Sequence, residues 1–119
     1  MKKILLVDDE QDFLYPMGEL LTNRGYLVHT AISCKAAFEV LDKNEIDIVV
    51  TDIILPEHDG FELIMKINEN FPKIKIIAIS GGGRVDKLAY LQLAKGLEVA
   101  ATLPKPFMVD ELVKIILSL

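Results

Sequence analysis

Short apolar runs alternate along this chain with longer segments whose apolar residues recur at helical spacing. The runs fall at residues 4–7, 27–31, 46–50, 74–79 and 100–103. Runs as apolar as these are typical of strands that are buried on both faces, as in a parallel sheet. Five such strands in alternation with helices predict a doubly wound α/β fold, for which the flavodoxin-like strand order 2-1-3-4-5 is the common five-stranded solution.

Five helices are predicted between and after these strands. Gly25 is expected to end the first of them. Pro16 falls inside the same helix, where it removes a backbone donor, so the helix either starts late, near Tyr15, or is kinked. The apolar stripe of this first helix consists of Phe13, Met17, Leu20 and Leu21. The other four stripes lie within residues 36–41, 61–67, 88–97 and 112–116.

Length and composition favour one domain, which we place at residues 1–119. The net charge of -5 gives no reason to expect direct binding to nucleic acid. No apolar run approaches the roughly 18 residues of a membrane span, and the first run is stopped by Asp8 too early for a signal peptide. Cys34 is the only cysteine, which suits a reducing compartment. We therefore expect a cytoplasmic protein that does not act at a membrane.

Polar side chains follow the strands at the edge of the sheet where parallel strands end together. They are Asp8, Asp9 and Glu10 after the first strand, Asp52 after the third, Ser80 after the fourth and Lys105 after the fifth. Ligands of open α/β sheets bind at this edge, and the first and third strands are neighbours in the predicted order. We therefore expect Asp8, Asp9 and Asp52 to converge.

Three carboxylates in one crevice repel one another unless a cation neutralises them or some of them bind protons. Mg²⁺ binds few protein carboxylates and pairs with phosphates. Lys105 and the Ser80 hydroxyl are suited to stabilise phosphate oxygens, and a carboxylate such as Asp52 can attack phosphorus. Each residue alone fits a cap, a turn or a solvated surface position. Their convergence on one edge indicates phosphoryl chemistry.

At these residues the chain resembles the receiver domain of bacterial two-component response regulators. The resemblance covers essentially the whole chain. It rests on residues 4–10 (ILLVDDE), 52–56 (DIILP), 59–60 (DG), 77–81 (IAISG) and 103–107 (LPKPF), taken in this order.

The resemblance implies that Asp52 is the phosphoacceptor. It also implies Mg²⁺ as the cofactor, bound by the side chains of Asp9 and Asp52, by Asp8 directly or through water, and by the backbone carbonyl of Ile54. A phosphoryl group adds about -1.5 to -2 charge and three acceptor oxygens, so it can shift a pre-existing conformational equilibrium.

The resemblance also implies how the phosphoryl group is sensed. Ser80 is the implied switch hydroxyl, Lys105 contacts the phosphoryl oxygens, and Gly81 matches a position kept small for phosphate access. The Lys105-Pro106 peptide bond is implied to be cis. Thr102 replaces the aromatic switch residue of many relatives, so the coupling is expected to use backbone or helix movement.

Two further departures from the family pattern concern the backbone. Residues 98–99 are Glu-Val where many relatives have Gly-Ala, so the sequence does not decide where the fifth strand begins. Three glycines at residues 81–83 predict a mobile loop after the fourth strand.

The resemblance therefore implies a phosphoacceptor signalling module that is not an enzyme in the usual sense. Its implied partner is a sensor histidine kinase or a phosphotransfer protein, with phosphorylation from small donors and intrinsic hydrolysis in addition. The response is expected on the face formed by the fourth and fifth helices and the fifth strand, through which a homodimer is also compatible with the sequence. If the chain is the whole protein, direct binding through this face is its expected output.

Three alternatives stay open from the residues. A metal-dependent phosphatase with an Asp nucleophile often has a second acid two residues later, where this chain has Ile54. A flavin carrier of the same topology is disfavoured by the acids after the first strand. A binding module that acts without phosphate is the third alternative. Neither the cognate kinase nor the downstream target is readable from the sequence.

Overall fold

The structure, a computed structural model of the chain, describes residues 1–53, 60–80 and 98–119, apart from the side chains of Phe61 and Ser80. Within these residues, five strands form one parallel sheet: β1 (Lys3–Val7), β2 (Leu27–Ala31), β3 (Ile48–Asp52), β4 (Lys75–Ser80) and β5 (Ala101–Pro104). The strand order is β2-β1-β3-β4-β5, and every pairing is parallel. The predicted fold class and strand order are confirmed.

Four helices lie in the described part of the chain: α1 (Gln11–Asn23), α2 (Cys34–Lys43), α3 (Gly60–Asn70) and a C-terminal helix (Val109–Ser118). They confirm four of the five predicted helices. The helix predicted within residues 88–97 and the loop predicted at residues 81–83 lie outside the described residues. No helix in the described ranges combines the length and the apolar character that crossing a membrane requires.

The strands β1 to β4 divide their side chains between two apolar clusters, one on each face of the sheet. Residues of α1 and the C-terminal helix cover the face that carries Ile4, Leu6, Ile48 and Val50. Residues of α2 and α3 cover the face that carries Leu5, Val7, Val49 and Ala78. All five residues of β3 are buried, so the end of this strand is fixed from both faces.

α1 runs from Gln11 to Asn23 with Pro16 inside it. Of the two possibilities left open by Pro16, a late start near Tyr15 is therefore excluded. Pro16 is exposed, so the carbonyl of Asp12, which has no proline N–H to accept from, can be hydrated instead.

The apolar stripe predicted for α1 is wrong at one position, because Leu20 is 44% exposed. A helix buries residues spaced by three and four positions, and the stripe that faces the sheet contains Gly18 where Leu20 was predicted. Its buried members are Leu14, Met17, Gly18 and Leu21.

Gly25 ends α1 as predicted. Its φ is 95°, its N–H donates to the Thr22 carbonyl at 3.0 Å, and the Tyr26 N–H donates to the Leu21 carbonyl at 3.3 Å. These two bonds and the left-handed glycine define a Schellman motif. The chain is thereby turned from α1 directly into β2.

The start of β5 is held by α3. The Asn68 side chain accepts a hydrogen bond from the Glu98 N–H at 3.1 Å and donates one to the Glu98 carbonyl at 3.0 Å. Two residues later, the Ala100 N–H donates to the Ile76 carbonyl of β4 at 2.7 Å. The Glu-Val pair at residues 98–99 is thus compatible with a regular fifth strand.

Candidate functional site

Asp52 is the last residue of β3, the central strand of the sheet. Only 3% of its surface is exposed, and its backbone lies opposite Ile79 of β4. The next residue stays tied to the sheet, since the Ile53 N–H donates to the Ile79 carbonyl at 3.0 Å. The predicted phosphoacceptor therefore lies at the carboxyl end of a strand that neighbours hold on both sides.

Asp8 follows β1 directly and is fully buried. Its backbone N–H donates to the Ala31 carbonyl of β2 at 3.0 Å, and its Oδ1 accepts from the Glu10 N–H at 2.8 Å. A side chain that caps the N–H two residues later forms a turn. Glu10 is also the N-cap residue of α1, so this turn connects β1 to the helix at the edge of the sheet.

Three carboxylates meet at this edge. One oxygen from each of Asp8, Glu10 and Asp52 lies within 4.8 Å of the others. Asp8 and Asp52 are two of the three acids that were predicted to converge. Among the residues that the structure describes, Glu10 completes the group, whereas Asp9 is exposed and lies outside it.

The ammonium of Lys105 lies among these three acids. Its Nζ is 2.5 Å from Oδ2 of Asp8, 3.3 Å from Oε1 of Glu10 and 3.6 Å from Oδ2 of Asp52. Only 10% of the lysine side chain is exposed. The Lys105-Pro106 peptide bond is cis, in agreement with the resemblance.

The pKa of Lys105 is raised above its ordinary value of 10.5. Burial alone would lower this pKa, but the hydrogen bond to Asp8 and the charges of the acids outweigh it. Burial also raises the pKa of Asp8 above 3.8, against the opposing hydrogen bonds from Lys105 and from the Glu10 N–H. Among the described residues, three acids share the ammonium of Lys105, and acids in excess of the cation leave room for further positive charge.

An aromatic pair borders the ammonium. Nζ of Lys105 lies over the ring of Phe13, 4.0 Å from its centroid. Phe107 packs edge-on against Phe13, with 5.7 Å between the centroids and 74° between the ring planes. Neither contact was predicted, because both phenylalanines fit a pattern of ordinary core packing.

Gly60, the first residue of α3, packs against the backbone behind Asp52. Its N–H donates to the Ile53 carbonyl at 2.5 Å. A Cβ at Gly60 would lie 2.6 Å from the Ile53 Cα and closer still to the Asp52 carbonyl oxygen. Only glycine lets α3 approach the end of β3 this closely.

The remaining predicted site residues divide into two groups. Ser80 ends β4 at the same edge of the sheet, with its backbone opposite Pro104, and Thr102 is a half-buried residue of β5 opposite Ala78. The side chain of Ser80 and the whole of Ile54 and Gly81 lie outside the described structure.

The donor set fits a hard divalent cation. All three clustered side chains offer carboxylate oxygens, which Mg²⁺ and Ca²⁺ prefer to nitrogen or sulfur. A small protein-ligand set that leaves coordination positions for water and phosphate suits Mg²⁺.

Comparison with known proteins identifies the family. The family model described as "Response regulator receiver domain" matches residues 4–117. The response regulator receiver protein CpdR of Brucella abortus (strain 2308) is 34% identical over 113 residues, which cover 95% of this chain and 92% of CpdR. The chain belongs to the response regulator receiver domain family of two-component signalling.

A second relative is much longer than this chain, and a solved structure has the same fold. The sensor kinase CckA of Brucella abortus (strain 2308) is 37% identical over 114 residues, which are 92% of this chain but 11% of the kinase. A receiver domain from Clostridium thermocellum superposes with a TM-score of 0.90 at 29% identity, covering 99% of this chain and 93% of that one. Receiver domains are signalling modules, and they bind Mg²⁺ at an acidic site. The two alternatives of a metal-dependent phosphatase and a binding module that acts without phosphate are not favoured.

Proposed function

We propose that Asp52 accepts the phosphoryl group in this receiver domain. The observation that carries the proposal is a buried carboxylate at the end of the central strand, 3.6 Å from the Lys105 ammonium. A carboxylate in this place is shielded from bulk water. The Lys105 ammonium beside it can neutralise the negative charge that the phosphoryl group adds.

The transfer forms one bond and breaks one. A carboxylate oxygen of Asp52 attacks phosphorus, and the bond from phosphorus to its donor atom breaks, with the electron pair leaving on the donor. The donor atom is the imidazole nitrogen of a phosphohistidine on a kinase or phosphotransfer protein, or the carboxylate oxygen of a small acyl phosphate. Asp52 then carries an acyl phosphate, whose hydrolysis returns the carboxylate.

Four ligands are proposed for Mg²⁺: the carboxylates of Asp8, Asp9 and Asp52 and the carbonyl of Ile54. The position of Glu10 within the acid group adds its carboxylate as a further candidate. When bound, Mg²⁺ neutralises phosphoryl oxygens as negative charge accumulates on them. Asp8 and Glu10 also pair with Lys105, so these acids orient the ammonium toward Asp52.

The proposed response starts at Ser80, Gly81 and Lys105, which would contact the phosphoryl oxygens. Thr102 is the second residue of β5, which ends at this edge with Pro104, so movement of β5 and the helices beside it would carry the signal. We assign this function to one domain, residues 1–119, acting in the cytoplasm, with a downstream protein target or a second copy binding the responding face. Its own chemistry would be limited to taking a phosphoryl group from its partner or from small donors and to hydrolysing the resulting acyl phosphate.

Mass spectrometry after incubation with acetyl phosphate and Mg²⁺ tests the proposal. Wild type is expected to gain one phosphoryl group per chain, on the peptide that contains Asp52, and Asp52→Asn is expected to gain none. Asp42→Asn is the matched control, since it removes an exposed carboxylate from α2. An adduct that survives Asp52→Asn would overturn the assignment. A rapidly quenched wild type without adduct would instead favour binding without phosphate.

A further inference from the structure

One contact of Lys105 is not explained by its acidic partners. The Phe13 ring lies on α1, three residues after Glu10, and places its face 4.0 Å from the Lys105 ammonium. The segment from Asp8 to Phe13 therefore supplies two carboxylates and one aromatic face to the same cation. These described neighbours of the ammonium all attract positive charge.

The ring is held at a fixed angle. Phe107 lies two residues beyond Lys105 and meets Phe13 in an edge-to-face contact at 74°, the geometry that the quadrupoles of two rings favour. Phe13 and Phe107 are both half-buried against the apolar cluster under α1 and the C-terminal helix. The face of Phe13 is thus kept toward the lysine rather than toward solvent.

We propose that Phe13 is a positioning residue for the phosphoryl site, and that its ring holds the Lys105 ammonium beside Asp52. This inference rests on the proposed function, in which Lys105 receives the phosphoryl oxygens. A cation over an aromatic face is stabilised most when both are withdrawn from water, and the lysine side chain here is 10% exposed. Phe13 thus limits the alternative positions open to a long, flexible side chain.

Ordinary packing would account for a phenylalanine here, but leucine would then serve equally well. Phe13→Leu keeps an apolar side chain and removes the aromatic face, whereas Phe13→Tyr keeps the face. Phe38→Leu is the matched control. Phe38 is also half-buried beneath a lysine, with Lys66 Nζ 5.3 Å from its centroid, and it lies on α2 over the other face of the sheet.

The position of the lysine can be read by NMR. Protons above an aromatic face are shifted upfield, so the ε-methylene of Lys105 is expected upfield of the other lysines in wild type. Its signal is identified by its loss in Lys105→Arg. The upfield shift is expected to persist in Phe13→Tyr and Phe38→Leu and to disappear in Phe13→Leu. An ordinary shift in wild type, or one unchanged in Phe13→Leu, would overturn the inference.

The consequence for the site can be read by a double-mutant cycle. Beryllium trifluoride, a mimic of the acyl phosphate, is titrated with Mg²⁺ into wild type, Phe13→Leu, Lys105→Met and the double variant. With Lys105 present, Phe13→Leu is expected to weaken binding by about 3- to 30-fold. In the Lys105→Met background the loss should fall within about 2-fold.

The two arms distinguish the possible failures. An equal loss in both backgrounds would mean that Phe13 acts on the fold rather than through Lys105, and would overturn the inference. A wild type that binds no beryllium trifluoride would contradict the proposed function of Asp52, whereas the NMR shift would still decide whether Phe13 holds the lysine.

Discussion

Burial of the Asp8 carboxylate links the acid group to the stability of the fold. Because burial raises the pKa of Asp8 in the folded chain, ionisation costs more there than in the unfolded chain. The stabilising contribution of Asp8 is therefore complete below its unfolded pKa of about 3.8 and is lost as the pH rises through its higher folded pKa.

Asp8→Asn tests this dependence, because asparagine does not ionise. In EDTA, the variant is expected to gain free energy of unfolding relative to wild type as the pH rises from 3.8 toward neutrality. Urea unfolding over this range measures the difference, and Asp42→Asn controls for the change in net charge. A difference that shrinks with rising pH would contradict the assigned direction.

At residue 60 the fold has room for glycine and for no larger residue. Gly60→Ala would press a methyl group against the backbone of Asp52 and Ile53, and a backbone in a sheet cannot move aside. We expect a loss of about 1 to 3 kcal/mol in the free energy of unfolding, together with slower phosphorylation.

Gly18→Ala is the matched control for Gly60→Ala. Its new Cβ would meet a side-chain methyl group, the Thr30 Cγ2, at 3.3 Å and not a backbone atom, and alanine favours the helix by up to about 1 kcal/mol. We expect Gly18→Ala to change stability far less than Gly60→Ala. Equal losses in the two variants, measured by urea unfolding, would mean that the approach of α3 to β3 is not the cause.

The sequence predicted some site residues better than others, and the reason is geometric. Asp8 and Lys105 follow strands directly and Asp52 ends one, so the parallel sheet decides where they lie. Glu10 and Phe13 are placed by the turn that Asp8 caps and by the first turn of α1. A two-residue strand period does not extend through such a turn, so the choice between Glu10 and its neighbour Asp9 was not readable.

At the scale of elements, the Asn68 side chain connects the last turn of α3 to Glu98, three residues before β5. Asn68→Ala would remove both hydrogen bonds to Glu98, each worth about 0.5 to 1.5 kcal/mol. We expect the Glu98 amide to exchange with solvent about 5- to 10-fold faster, and amides at the start of β5 to lose some protection.

Hydrogen exchange followed by NMR measures this effect. Asn70→Ala, at the exposed end of the same helix, is the control and should leave the Glu98 amide unchanged. Unaltered exchange in Asn68→Ala would show that β5 is held by its pairing with β4 alone.

The strands and helices were predictable where the spacing of apolar residues in the sequence matches the side of the element that is buried. The strands carry apolar residues on both faces and were found within two residues of their observed limits. α1 was harder, since Pro16 left a late start and a kink as alternatives. Proline removes one helical hydrogen bond and crowds the carbonyl four residues earlier. Solvent can hydrate that carbonyl where the proline is exposed, and the exposure of Pro16 depends on which side of α1 faces the sheet. That orientation is a property of the packed fold.

At the scale of the molecule, the strand order creates the site. β1 and β3 are neighbours at the centre of the sheet, and their ends bring Asp8 and Asp52 together. Lys105 follows the edge strand β5 and reaches them with its long side chain. The order followed from the alternation of strands and helices, because right-handed crossovers leave few topologies. The strand order alone does not predict that the Lys105 ammonium contacts all three acids, because that depends on the conformation of its long side chain.

A cation that binds only the folded chain stabilises the whole molecule. If Mg²⁺ binds the acid group, the free energy of unfolding should rise by about 2.7 kcal/mol at 100 times the dissociation constant. Above saturation, each further tenfold increase should add about 1.4 kcal/mol. Urea unfolding in a series of MgCl₂ concentrations measures this slope, with NaCl holding the ionic strength constant, since screening also stabilises a chain of net charge -5.

Asp52→Asn separates site binding from general screening in the same titration. The variant loses one of the three clustered carboxylates, so its stability curve should shift to higher Mg²⁺ concentration while its response to NaCl stays that of wild type. Asp42→Asn removes the same charge from the surface and should follow the wild-type curve. If all three proteins responded alike, Mg²⁺ would be acting on the net charge and not at the end of β3.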